Sequence, residues 1–123
     1  MDYQTEVVDK QKLMELLELI GGDLDSLREL IDCFLLDGPS LLDAMMEGAK
    51  SSNFEKIRRA AHTLKSNTKD FGIQNVGKLS AELEAKCKAS NFENCEVMIN
   101  EINAEYKKGI VKLEVLYAEL NEG

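Results

Sequence analysis

The stretch Cys95-Glu96-Val97-Met98-Ile99-Asn100-Glu101-Ile102-Asn103-Ala104-Glu105-Tyr106-Lys107-Lys108-Gly109-Ile110-Val111-Lys112-Leu113-Glu114-Val115-Leu116-Tyr117-Ala118-Glu119-Leu120 decides the fold. Within it Cys95, Ile99, Ile102, Tyr106, Gly109, Leu113, Leu116 and Leu120 follow one another at alternating intervals of four and three. That spacing lays one apolar seam along a helix from about 91 to 120. A seam of this length needs partner faces to bury it, so the rest of the chain must supply further helices.

Upstream, Val76, Leu79, Leu83 and Cys87 predict a helix from about 75 to 88. Before it, Phe54, Ile57, Ala61, Leu64, Thr68 and Phe71 share one face of a helix from about 53 to 70, which Gly72 ends. Earlier still, Leu24, Leu27, Ile31, Phe34 and Leu35 form a stripe that resumes after Gly38-Pro39 with Leu41, Leu42, Met45 and Ala49. Proline inside a helix costs ~3 kcal/mol, so one bent helix or two nearly collinear ones are expected from about 23 to 50. Asp9 caps a first short helix bearing Leu13, Leu16, Leu17 and Ile20, and Gly21 with Gly22 stops it. Two segments are nearly identical: Lys50-Ser51-Ser52-Asn53-Phe54-Glu55 and Lys88-Ala89-Ser90-Asn91-Phe92-Glu93. Each holds the S-x-x-E capping box, so each is expected to begin a helix. The likeness stops after Glu55 and Glu93, which favours repeated capping chemistry over an internal repeat. Short connections make sequential helices antiparallel. The expected fold is all-α: an antiparallel up-and-down four-helix bundle with a short additional N-terminal helix, formed by residues 1–123 as a single domain.

Composition excludes several alternatives. One proline and 8 glycines among 123 residues are too few for the frequent turns of a β-sandwich. A net charge of −8 repels phosphate backbones and argues against nucleic acid as a partner. No apolar run approaches the ~18–20 residues of a membrane span, and no signal-peptide pattern opens the chain. Three cysteines, Cys33, Cys87 and Cys95, with no C-x-x-C pair, fit a reducing, cytoplasmic setting. All three lie on apolar stripes and are expected to be buried structural thiols. Met45 and Met46 are expected at the core and its boundary, and Tyr106 in the heptad core.

The chain contains one histidine, His62. On a helical wheel it points roughly 130° away from the centre of the apolar arc of its helix, so it faces solvent. Arg58, Arg59, Lys65, Ser66 and Lys69 share the exposed arc, a local positive stripe in an acidic chain. An exposed neutral imidazole is a competent nucleophile toward phosphorus. Flanking cations disfavour a further positive charge on the ring and stabilise a phosphoryl dianion once it is bound. Ser66, one turn along, leaves room for a partner's active site to descend on the ring. No Walker, kinase or Gly-rich phosphate motif occurs, so no autonomous kinase activity is expected.

The run Ala61-His62-Thr63-Leu64-Lys65-Ser66-Asn67-Thr68-Lys69-Asp70-Phe71-Gly72 resembles the signature of histidine-containing phosphotransfer (HPt) domains, A-H-x-L-K-[GS] followed by an apolar residue and glycine. The later Leu79-Ser80-Ala81-Glu82-Leu83-Glu84 and the earlier Phe34-Leu35 to Pro39 match the family layout, which extends over about residues 9–120. The resemblance implies a four-helix bundle that accepts a phosphoryl group from one receiver aspartate and passes it to another in a multistep phosphorelay. It assigns His62 as the phosphorylated residue and Lys65 as the cation near the phosphoryl oxygens. Ser66 stands where many relatives have glycine. By register, Glu84 takes the place of the family's Gln or Glu that meets the other imidazole nitrogen, fixing the tautomer.

The resemblance also implies response-regulator receiver domains and a sensor (hybrid) histidine kinase as partners. It implies no cofactor on this chain, with Mg²⁺ supplied by the receiver, and no metal site. A monomer is expected. The surplus apolar positions Leu13, Leu16 and Leu30 are expected to border His62 as a docking patch. As an exposed cation, Lys65 is expected to contribute only ~0–1 kcal/mol to stability. Two alternatives stand beside this reading. One is a helical adaptor that binds a receiver or kinase without being phosphorylated, a role that would tolerate loss of His62 or Lys65. The other is a domain cut from a larger hybrid kinase, against which Met1 and the capped helix at Asp9 favour a complete chain.

Overall fold

The computed structural model describes residues 7–122. Met1, read above as the start of a complete chain, lies outside them. Five helices follow in order: α1 (Lys10–Leu19), α2 (Leu24–Ser51), α3 (Phe54–Phe71), α4 (Gln74–Lys88) and α5 (Cys95–Glu122). No strand occurs among the described residues. α3 packs against α2 and α4, and α5 closes the ring by packing against the same two helices. α1 leans on α3. The ring therefore puts α3 and α5 at opposite corners, and among the described residues the outer face of α3 is open at its middle, where the His62 side chain is 57% exposed.

The apolar stripes meet inside this ring. Leu27, Ile31, Met45, Ile57, Leu64, Leu83, Ile102 and Leu113 are wholly buried, each contributing ~1.5–3 kcal/mol of transfer free energy. The seam on α5 is buried from Cys95 through Leu116, and Leu120 packs at its edge. At one edge of the ring, Arg28 of α2 makes a two-pronged contact with Glu114 of α5, at 2.6 and 3.0 Å. Its guanidinium also lies 5.0 Å from the centre of the Tyr117 ring.

Pro39 does not divide α2, which runs unbroken from Leu24 to Ser51. The neighbouring Gly38 has a packing role. Tyr106 of α5 crosses α2 at this point and donates its hydroxyl hydrogen to the Phe34 carbonyl at 2.9 Å. A Cβ on Gly38 would overlap the Tyr106 ring and hydroxyl. The Gly-Pro pair thus marks a close helix crossing rather than a break.

The duplicated segments behave differently from expectation. At the first, the N-cap of α3 is Asn53, whose side chain accepts from the Lys56 N–H at 3.2 Å. Ser52 instead ends α2 in the left-handed conformation, φ 58°. At the second, no helix begins at Asn91. Ser90 and Asn94 both take positive φ, and α5 starts only at Cys95. The duplication ends in contact: Phe54 and Phe92 stack with ring centres 3.4 Å apart and planes 7° from parallel. Phe54 stacks from the first turn of α3, whereas Phe92 covers it from a loop.

Gly72 ends α3 at φ 74°, where its N–H reaches the Lys69 and Thr68 carbonyls. The chain before α1 docks there: Asp9 N–H donates to the Gly72 carbonyl at 2.7 Å. Asp9 also caps α1 through Gln11 N–H at 3.0 Å. Met45 is buried and Met46 packs at the margin of the core. Cys87 and Cys95 are buried, but Cys33 is exposed on the solvent side of α2, contrary to expectation.

Candidate functional site

α3 presents its buried face through Ile57, Ala60, Ala61, Leu64, Thr68 and Phe71. With that face fixed, His62 must project outward, and its side chain is 57% exposed. Lys65 follows three residues later on the same face, one helical turn away. From the adjacent helix, α4, the carboxyl of Glu84 enters between them. Glu84 stands beside Leu83 at the α3–α4 seam, and its side chain is only 4% exposed.

One carboxylate thus serves two neighbours. His62 Nδ1 lies 2.8 Å from Glu84 Oε2, and Lys65 Nζ donates to Glu84 Oε1 at 2.7 Å. Hydrogen bonding to Lys65, and next to His62, holds the Glu84 carboxyl down at about 2 against the opposing effect of burial. Glu84 is therefore ionised and can only accept. The proton of the 2.8 Å contact must then sit on Nδ1, which fixes the neutral ring as the Nδ1–H tautomer. Nε2 keeps its lone pair and has no hydrogen-bond partner among the described residues. A third cation, Lys88 Nζ, stands 3.5 Å from Glu84 Oε2.

The remaining expected residues divide into three groups. Arg58 and Arg59 both bind Glu55, through Nε contacts of 2.8 and 3.1 Å. That pairing, Arg58 first, holds Glu55 down at about 2. The positive stripe beside His62 is to this extent neutralised. Lys69 joins Lys12, Lys65 and Lys78 around a groove of about 560 Å³ between α1, α3 and α4. Leu16, Leu30 and Ser66 share a smaller groove of about 210 Å³ between α1, α2 and α3, with Asp37 and Asp70 also in its wall. Leu30 is 38% exposed there, whereas Leu13 is wholly buried against the core. Leu13 therefore offers no surface to a partner, and Leu16, expected beside it in the docking patch, is also buried and reaches the smaller groove only at its edge. The place of Leu13 on the inner face of α1 makes it a core residue, and the surplus of leucines on that helix is smaller than the sequence suggested. Sequence reasoning also missed Lys88, although its position four residues after Glu84 is the spacing of a helical ion pair.

The Hpt domain family model matches residues 29–116. The chain belongs to the Hpt domain family. As an Hpt protein it functions in histidine phosphotransfer within a phosphorelay, in a family that relays phosphate with receiver domains and histidine kinases. Histidine-containing phosphotransfer protein 2 of Arabidopsis thaliana is 26% identical over 119 residues, covering 94% of this chain and 76% of that protein. Histidine-containing phosphotransfer protein 5 of the same plant is likewise 26% identical over 119 residues, covering 94% and 75%. The fold of this Hpt chain is similar to that of histidine-containing phosphotransfer protein B from Pseudomonas aeruginosa PAO1. That likeness has a TM-score of 0.84 at 18% identity and covers 94% of this chain and 98% of the other. No helix among the described residues of this Hpt protein is long and apolar enough to cross a membrane.

Proposed function

We propose that His62 is the residue that carries the phosphoryl group, at Nε2, between the aspartates of receiver domains. The observation that carries this reading is the 2.8 Å contact of Nδ1 with an ionised, buried Glu84 on the only histidine of the chain. The Nε2 lone pair attacks phosphorus as the receiver's P–O bond breaks, and that electron pair leaves with the aspartate carboxylate. No base is needed, because Nε2 bears no proton. The ring gains positive character as the N–P bond forms, and Glu84, already on the Nδ1 proton, offsets it. The reverse step returns the group to a second receiver.

Lys65 shares the Glu84 carboxylate with the ring and is the cation assigned to the phosphoryl oxygens. Lys69, with Lys12 and Lys78 across the neighbouring groove, adds positive potential on that side. Leu30, with the edge of Leu16, gives the smaller groove on the other side its apolar part, and Ser66 leaves clearance beside it. A receiver seated over His62 spans both grooves, and any Mg²⁺ the transfer requires belongs to the receiver's acidic pocket. The ring of α2 to α5 is read as an antiparallel up-and-down four-helix bundle with α1 as a short fifth helix. The protein acts as a cytoplasmic monomer, carrying phosphate and lacking kinase activity of its own.

The test is labelling from a phosphorylated receiver. Wild-type protein should gain one acid-labile, base-stable phosphoryl group, because a phosphoramidate is lost once its ring is protonated. His62→Gln should gain none while keeping its helical circular dichroism. Acid-stable label, or label on the variant, would refute the assignment.

A further inference from the structure

Glu84 is nearly buried, ionised, and faced by three cations besides the imidazole. Lys65 holds Oε1 at 2.7 Å and Lys88 stands 3.5 Å from Oε2. Arg58 acts on it only at longer range and is committed to Glu55. If Lys65 turns to a phosphoryl group on His62, Glu84 loses its one hydrogen-bonded ammonium and keeps only the longer contact with Lys88. A buried carboxylate without a paired cation is strongly unfavourable, so that turn is opposed unless another cation steps in. Arg58 is occupied. Lys88 is not: its ammonium has no other ion-pair partner among the described residues, and its side chain is 61% exposed. Moving from 3.5 Å to hydrogen-bond distance requires only a rotamer change of an exposed side chain, on the scale of picoseconds to nanoseconds.

We propose that Lys88 is a positioning residue that takes over the Glu84 carboxylate when Lys65 leaves it for the phosphoryl group on His62. The exchange leaves each anion with a cation beside it at each stage. Before transfer Lys65 neutralises Glu84 and Lys88 stands by. After transfer Lys65 neutralises phosphoryl oxygen, and Lys88 neutralises Glu84, which keeps its bond to the Nδ1 proton. Lys88 thus acts through Lys65 and never touches the reacting atoms. The inference rests on the assignment of His62 as the phosphoryl carrier.

The full chain is phosphorylated with phosphoramidate, whose P–N bond breaks with loss of ammonia as the bond to Nε2 forms. Rates are compared in a cycle of Lys88→Met and Glu84→Gln. Lys88→Met should slow labelling of His62 roughly three- to tenfold. Lys88→Arg, which keeps a cation, should restore the rate. In the Glu84→Gln background no charge needs covering, so adding Lys88→Met should change nothing further. Side-chain ¹⁵N signals supply a readout independent of rate: on phosphorylation of the wild type, the Lys88 ammonium should become slower to exchange with water. Equal labelling rates in wild type and Lys88→Met would overturn the inference, as would the same slowing by Lys88→Met with and without Glu84→Gln. So would an unchanged Lys88 signal on phosphorylated protein. Absence of any label on wild-type His62 would instead overturn the underlying assignment.

Discussion

Lys65 and Glu84 are joined at 2.7 Å by a contact with one exposed end and one buried end. The lysine looks like a surface residue on its own helix. Its partner, on the next helix, is almost wholly enclosed. The cation expected to wait in solvent for a phosphoryl group is therefore already engaged before any partner arrives, and the energetics of the site follow from that engagement.

Lys65→Ala should destabilise the protein by about 1–2 kcal/mol. That lies between the near-zero of a surface pair and the ~3–5 kcal/mol of a wholly buried one. Adding Glu84→Gln should recover most of the loss, since no buried charge then remains. Urea melts of the two single variants and the double variant check this. Additive losses would show that the pair is not coupled.

Glu84 also sets an acid dependence. Its carboxyl is held near 2 when folded, below its ordinary value of 4.5, chiefly by Lys65 and then by His62. The folded state thus favours the ionised form. The stability this contributes is fully present above pH 4.5 and is lost as pH falls toward 2. Glu55 adds a slope of the same sign over the same range. Wild-type protein should therefore lose more stability between pH 5 and pH 2.5 than Glu84→Gln does. Identical slopes in the two proteins would contradict the pairing of Glu84.

Gly38→Ala places a methyl group in the volume of the Tyr106 ring. The ring must move, its bond to the Phe34 carbonyl is lost, and the cost is about 1–3 kcal/mol. Tyr106→Phe, which removes only the hydrogen bond, should cost about 1 kcal/mol. Combining Gly38→Ala with a smaller residue at 106 should lower the penalty for the alanine. A Gly38→Ala variant as stable as wild type by chemical denaturation would disprove the steric account.

Leu30→Asp puts a charge on the exposed side of the groove that holds Leu16 and Ser66. Leu30 is 38% exposed, so the fold should persist, while affinity for each receiver falls at least several-fold. Titration of labelled protein with unphosphorylated receiver should perturb amides around Leu30, His62 and Ser66. Shifts confined to Leu113–Leu120 would place docking on the wrong side of the molecule.

Periodicity made the helices legible. Each long helix carries a stripe wide enough to define its buried face, and those faces fixed the outward aim of His62. Glu84 could be placed only through the family resemblance, because a carboxylate beside a core leucine looks like any solvated neighbour until the facing helix is known. The starts and stops were harder to read. Ser52-Asn53-Phe54-Glu55 and Ser90-Asn91-Phe92-Glu93 share one local preference, but the second lies in a loop whose Phe92 stacks on Phe54, a long-range contact that local capping chemistry does not reveal. Pro39 pointed to a bend because its local penalty is plain in the sequence, whereas the Tyr106 crossing beside it is not. Leu13 is buried because α1 turns that side to α3 and the core, which its ten residues alone do not reveal, whereas Leu30 lies on α2 and is exposed at the groove.

A single imidazole closed by Glu84 on one nitrogen and open on the other gives the relay one berth. With His62 as the carrier proposed above, donor and acceptor receivers would occupy the same space over Nε2 and would have to take turns. The departure of a spent donor then becomes a step that must precede every onward transfer. Where that departure limits the rate, a mutation that tightens the grip of the donor would slow the signal with every chemical step untouched.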